Sequence, residues 1–149
     1  MPKASVKRLI ECRKDQLIDL VLDIERYPEF VPFCLESHIF EKKKEGNLTL
    51  IIADLTIGKG LFKETYKSDV KYNMEDNSIK VINIGGPLKH LENNWKFIDQ
   101  DGGTEIFFDI DFEIENKFLN ILMTKSFQFG LDKIADAFQK RAESLYKNK

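Results

Sequence analysis

Cysteine, histidine and tryptophan are scarce in this 149-residue chain, which carries two, two and one of them. Cys12 and Cys34 follow no hydrophobic leader, which implies free thiols in a reducing cytosol rather than a disulfide framework. They do not form a Cys-Xaa-Xaa-Cys pair, His38 and His90 lie far apart, and neither histidine opens a ligand pair at helical spacing. No metal site is therefore expected. Charge of one sign is also lacking: 23 Lys and Arg stand against 25 Asp and Glu, a formal net charge of -2. No global field exists to hold DNA, RNA or an anionic membrane, so any such contact must be local. The apolar runs are too short to span a bilayer, and the stretch from Met1 to Ala4 enters the first strand pattern too soon for a transit peptide. Gly85-Gly86 and Gly102-Gly103 lack the Gly-Xaa-Gly-Xaa-Xaa-Gly and Walker spacings and read as turns. A Gly-Xaa-Ser-Xaa-Gly elbow is absent as well.

Phenylalanine is abundant. Twelve Phe and 42% apolar residues supply one sizeable core, and the expectation is a single domain over residues 1–149. Ala4, Val6, Arg8 and Ile10 alternate with Ser5, Lys7, Leu9 and Glu11, predicting a first strand. Leu17, Leu20, Val21 and Ile24 keep one helical face between Asp15, an expected N-cap, and Glu25. Pro28 and Pro32 push Tyr27 and Val31 away from helical geometry, so the helix is expected to end near Arg26. Tyr27, Phe30 and Phe33 must then be buried by another element. Strand patterns follow over Ser37 to Lys43 and Leu48 to Ile57, joined by a hairpin at Lys44 to Asn47. Leu61 to Tyr72, Ile79 to Ile84, Leu91 to Phe97 and Glu105 to Glu113 complete about seven strands. A long helix from Asn116 or Lys117 to Tyr146 closes the chain. Its stripe of Phe127, Leu131, Ile134, Phe138 and Leu145, with Arg141 or Ala142 between, must lie on the sheet.

The run from Asp23 to Cys34, Asp-Ile-Glu-Arg-Tyr-Pro-Glu-Phe-Val-Pro-Phe-Cys, resembles a signature of the coenzyme Q-binding START-type family within the polyketide cyclase/dehydrase superfamily. Phe33 stands where that family usually has Trp. The stretch from Gly86 to Phe97, the element Ser68-Asp69-Val70, and Asp111 to Ile114 followed by Ala137 to Ala142 are similar to further blocks of the family. Asp69 and Leu88 depart from them, replacing a usual Arg and Phe. The resemblance covers nearly the whole chain. It implies an α+β helix-grip (START/Bet v1-like) fold, a curved antiparallel sheet wrapped around the C-terminal helix, with a hydrophobic tunnel between the two.

Such a tunnel would be lined by Phe30, Phe62, Tyr66, Trp95, Phe97, Phe108, Ile110, Phe112, Phe127, Leu131, Ile134 and Phe138. Glu64 shares the parity of Phe62 and Tyr66 and would turn a carboxylate inward. Glu64 and Asn93 are candidate polar anchors for a ligand head group, and Lys89 and His90 candidate entrance residues. Cys34, in apolar surroundings, reads as a structural thiol. No catalytic residue and no cofactor are expected. The bound ligand implied is ubiquinone or a similar polyprenyl quinone, held by a non-enzymatic lipid chaperone that supports respiration. Two alternatives remain: a ribosome-association toxin of the RatA type on the large ribosomal subunit, and an aromatase/cyclase-like enzyme, for which Glu64 is the candidate acid or base. The expected setting is cytoplasmic, with transient contact at the inner face of the membrane.

Overall fold

A computed structural model describes the backbone of residues 3–59, 62–85, 88–114 and 117–147, with side chains over 3–58, 63–85, 90–113 and 130–146. In chain order the elements are β1 (Lys3–Ile10), α1 (Lys14–Leu22), a 3-10 segment (Ile24–Glu29), β2 (Cys34–Glu45), β3 (Leu48–Lys59), β4 (Phe62–Asn73), β5 (Ser78–Gly85), β6 (Leu88–Gln100), β7 (Gly103–Ile114) and α2 (Lys117–Ala142), which runs into a π-helical turn (Glu143–Lys147). All seven strands join one antiparallel sheet in the order β1-β7-β6-β5-β4-β3-β2. Period-two alternation gives the sheet an inner side toward the core and an outer side toward water. This is the expected helix-grip architecture.

Cross-strand register fixes which residues share the inner face. Trp95 lies opposite Ile79 and Phe108, and Phe108 opposite Val6. Ile51 lies opposite Val70, and Val70 opposite Val81. The α2 stripe reads Leu131, Ala135, Phe138 and Ala142, all buried. Ala142 rather than Arg141 thus keeps the helical period. α2 packs chiefly over β1 and β7.

Helix α1 seals one end of the sheet. Its buried Leu17, Ile18, Leu20 and Val21 enter the same core as Ile51, Ile79 and Phe97. Arg13, not Asp15, is its N-cap: the Arg13 N–H donates to Gln16 Oε1 at 3.0 Å. The helix also ends earlier than expected, at Leu22. A 3-10 segment then carries Pro28 within it, because the tighter i to i+3 ladder asks less of the backbone donor that proline lacks. The Tyr27 hydroxyl donates to the Val21 carbonyl and the Ser37 hydroxyl donates to that of Ile24 at 2.7 Å, which ties the segment to α1 and β2.

Candidate ligand-binding face

Along β3, β4, β5 and β6 the inner face loses burial in one direction. On β3, Ile51 and Ala53 are buried while Leu55 and Ile57 are half-buried. On β4, Val70 and Ser68 are buried, Tyr66 is half-buried and Glu64 is exposed. Ile79 gives way to half-buried Val81 on β5, and Phe97, Trp95 and Asn93 give way to half-buried Leu91 on β6. Ile110 on β7 and Ile134 on α2 are half-buried too, whereas Phe112 and Leu131 are sealed. On β3 to β6 the half-buried residues lie toward the end where β3 passes to β4 and β5 to β6, while on β7 half-buried Ile110 lies between buried Phe108 and Phe112. α1 closes the opposite end.

The aromatics named from sequence belong mostly to the sealed end. Trp95 tilts onto Phe108 at 4.1 Å between ring centroids and meets Phe138 edge-on at 5.2 Å. Phe30 and Tyr27 strike Phe138 edge-on at 5.1 and 5.5 Å, geometries that favour aromatic pairs beyond their area. Phe108 and Phe138 border a void of about 20 Å³ with Arg8, Ile106 and Ala135, room for one water at most. Trp95, Phe97, Phe108 and Phe138 therefore form packed core, with half-buried Phe30 packed against it. The open wall is aliphatic, and Leu55, Ile57, Val81 and Leu91 were missed by sequence reasoning that favoured rings. Their parity with Tyr66 and Asn93 was the available signal.

The polar candidates divide. Asn93 Nδ2 donates to the Asp109 carbonyl at 3.0 Å, and Trp95 Nε1 donates to Asn93 Oδ1 at 2.9 Å. This correction makes Asn93 a buried bracket for the indole rather than a ligand anchor. Glu64 does hold the inward register, opposite Ile57, yet its side chain lies in solvent. Strand-end position overrides parity there, so Glu64 is neither a buried anchor nor an acid or base in a dry site. His90 aligns with Glu113, and its Nε2 lies 3.9 Å from Asp111 on the outer face. A register shift between Leu88 and His90 turns it away from the expected entrance. The side chains of Phe62, Lys89 and Phe127 lie outside the described residues. Tyr66 remains: burial first, and the Glu64 charge second, push its phenol up, so the hydroxyl stays a hydrogen-bond donor at neutral pH.

Arg8, which shares the strand parity of Ala4, Val6 and Ile10, is a cation on the inner face. It places Nη1 3.0 Å from Asp136 and Nη2 3.9 Å from Asp132, both on α2. Outside the sheet, Phe30, Pro32, Lys133, Asp136, Ala137, Lys140 and Arg141 border a groove of about 450 Å³. Arg141 Nη2 donates to Glu29 at 2.6 Å and its guanidinium sits 5.1 Å from the Phe30 ring centroid. Nearby, the Cys34 N–H donates to the Val31 carbonyl at 3.3 Å, closing a turn with Pro32 and Phe33 at its centre. Phe33 has φ 68°, the value a type II turn demands and glycine prefers. Expected to be buried, Phe33 is 36% exposed. Cys34 is buried, and burial pushes its thiol up to about 11, as a structural role requires.

A seven-stranded sheet gripping one long helix, sealed by α1 at one end and half-open along an apolar wall at the other, defines a helix-grip protein of the START/Bet v1-like class. The chain belongs to the polyketide cyclase / dehydrase and lipid transport family, whose pattern it matches over residues 10–139. It is 33% identical over 143 residues to the ribosome association toxin RatA of Rickettsia prowazekii, covering 94% of this chain and 95% of that one. It is also 34% identical over 135 residues to the mitochondrial coenzyme Q-binding protein COQ10 of Dictyostelium discoideum, covering 89% of this chain and 64% of the relative. The solution structure of an 18 kDa protein from Caulobacter crescentus superposes with a TM-score of 0.81 at 26% identity, over 97% of this chain and 98% of that one. Among the described residues no helix is long and apolar enough to cross a membrane.

Proposed function

We propose that this chain is a non-enzymatic binding protein for a polyprenyl quinone. The observation that carries the reading is the loss of burial in one direction along β3 to β6, which leaves Leu55, Ile57, Tyr66, Val81 and Leu91 half-covered around one end. An isoprenoid tail laid along them gains about 0.8 kcal/mol per methylene-sized group removed from water. The Tyr66 hydroxyl, kept protonated, donates to a quinone carbonyl. Similarity to a protein named for coenzyme Q binding supports the choice of ligand.

Trp95, the one tryptophan, reports occupancy, since quinones quench indole emission. Titration with a short-tailed ubiquinone should quench Trp95 saturably, and Leu55→Asn should weaken the apparent affinity by about tenfold. Quenching that rises without saturation, or that Leu55→Asn leaves unchanged, refutes the reading.

A second reading, ribosome association, is favoured by near full-length similarity to a protein named for it. It predicts co-sedimentation with the large ribosomal subunit. The near-neutral charge predicts that this binding is weak, and whatever RNA phosphates it contacts make it fall with salt.

A further inference from the structure

Between residues 30–32 and the later turns of α2 lies the groove of about 450 Å³, floored by Phe30, Pro32 and Ala137 and flanked by the cations Lys140 and Arg141. Its bordering carboxylate, Asp136, is already matched by Arg8 at 3.0 Å. Lys140 is exposed and makes no ion pair among the described residues. Positive charge beside an apolar floor thus sets the character of the groove.

Arg141 has more donors than acceptors. Its guanidinium is a planar fork of N–H groups, of which Nη2 donates to Glu29 Oε1 at 2.6 Å while Nε is buried and meets no acceptor. The Phe30 ring centroid, 5.1 Å away, covers one face of the guanidinium. A buried donor without a partner is costly, so the site is short of an oxygen. Glu29 supplies only part of what the fork can hold, because its other oxygen lies 3.4 Å from Arg26 Nη1. The Arg141 hydrogen bond, first among the causes, holds the Glu29 carboxyl below its ordinary range. Glu29 is therefore an anion at neutral pH, set where a ligand carboxylate would sit, with Arg26 to rest on when displaced.

We propose that this groove binds a small organic carboxylate with a short apolar body. The ligand carboxylate takes Nε and Nη2 of Arg141 as a parallel pair, where Glu29 takes Nη2 alone, and Lys140 adds a second positive charge. Phe30, Pro32 and Ala137 lie under the body. Glu29 is a tethered competitor that turns to Arg26 on binding. The site lies outside the sheet, apart from the half-buried inner wall, and does not depend on the quinone reading.

The test is isothermal titration calorimetry of the full chain with hexanoate, beside hexanol, which lacks the charge, and acetate, which lacks the body. Wild type should bind hexanoate saturably and neither control at the same concentration. Arg141→Gln should weaken hexanoate binding by about tenfold, and Lys140→Gln by about twofold to fivefold. Glu29→Gln keeps the length of the side chain but removes the competing charge, so it should tighten binding by about threefold. That gain is the decisive result, since a variant that merely loosened the fold would bind less. Wild type that binds no hexanoate overturns the proposal, and so does Glu29→Gln that binds it no more tightly than wild type. Inorganic phosphate that displaces hexanoate from wild type also overturns it, by assigning the fork to a phosphate.

Discussion

Glu64 holds the inward register of β4 while its carboxylate lies in solvent. Parity in sequence names the side of a sheet, but not how far along the strand the cover extends. Glu64→Gln should accordingly shift the melting free energy and the quinone affinity by less than about 0.5 kcal/mol, as urea denaturation and Trp95 titration would show. The same substitution should lower the Tyr66 phenol in a spectrophotometric titration, since Glu64 is the second cause of its rise after burial. Cys34 behaves oppositely. Its thiol is held up to about 11 by burial, against 9.0 unperturbed, so iodoacetamide at pH 8 should label it only on unfolding. The sign for stability follows: the contribution is whole below pH 9.0 and declines as pH rises toward 11, because the unfolded thiol ionises first. Phe138, at 5% exposure among three aromatic neighbours, should cost about 3 to 5 kcal/mol on truncation to Ala in the same denaturation experiment.

At the scale of elements, two glycines predict opposite outcomes. A Cβ on Gly103 would meet the Ile10 carbonyl oxygen at 2.2 Å, where β7 begins beside the end of β1. Gly103→Ala should destabilise by about 1 to 3 kcal/mol. Gly130 has open space around its Cβ direction within α2, so Gly130→Ala should stabilise by up to about 1 kcal/mol. Thermal melts of the pair measure both. The strands and α2 were legible in sequence because period two and period 3.6 are strong where one side is apolar, as in Ile106, Phe108, Ile110 and Phe112. The 3-10 segment was not. Proline signals a departure from α geometry without choosing the alternative, and the Tyr27 and Ser37 hydrogen bonds that make the choice are tertiary.

For the whole molecule, the helix-grip arrangement was legible because strands in series and one amphipathic helix can share a core in few ways. The candidate site was legible only in part. Sequence reasoning placed aromatics in the lining because they are large, yet size draws Trp95, Phe97, Phe108 and Phe138 into the sealed end, where they bury most. The half-buried wall is left to Leu55, Ile57, Val81 and Leu91, and their partial exposure depends on tertiary cover, a property no local window contains. Mass spectrometry of lipids extracted from natively purified protein tests the central claim most directly. The account predicts a polyprenyl quinone near stoichiometric occupancy, depleted in Leu55→Asn. Protein that copurifies with no quinone, or with the same quinone content in Leu55→Asn, would contradict it.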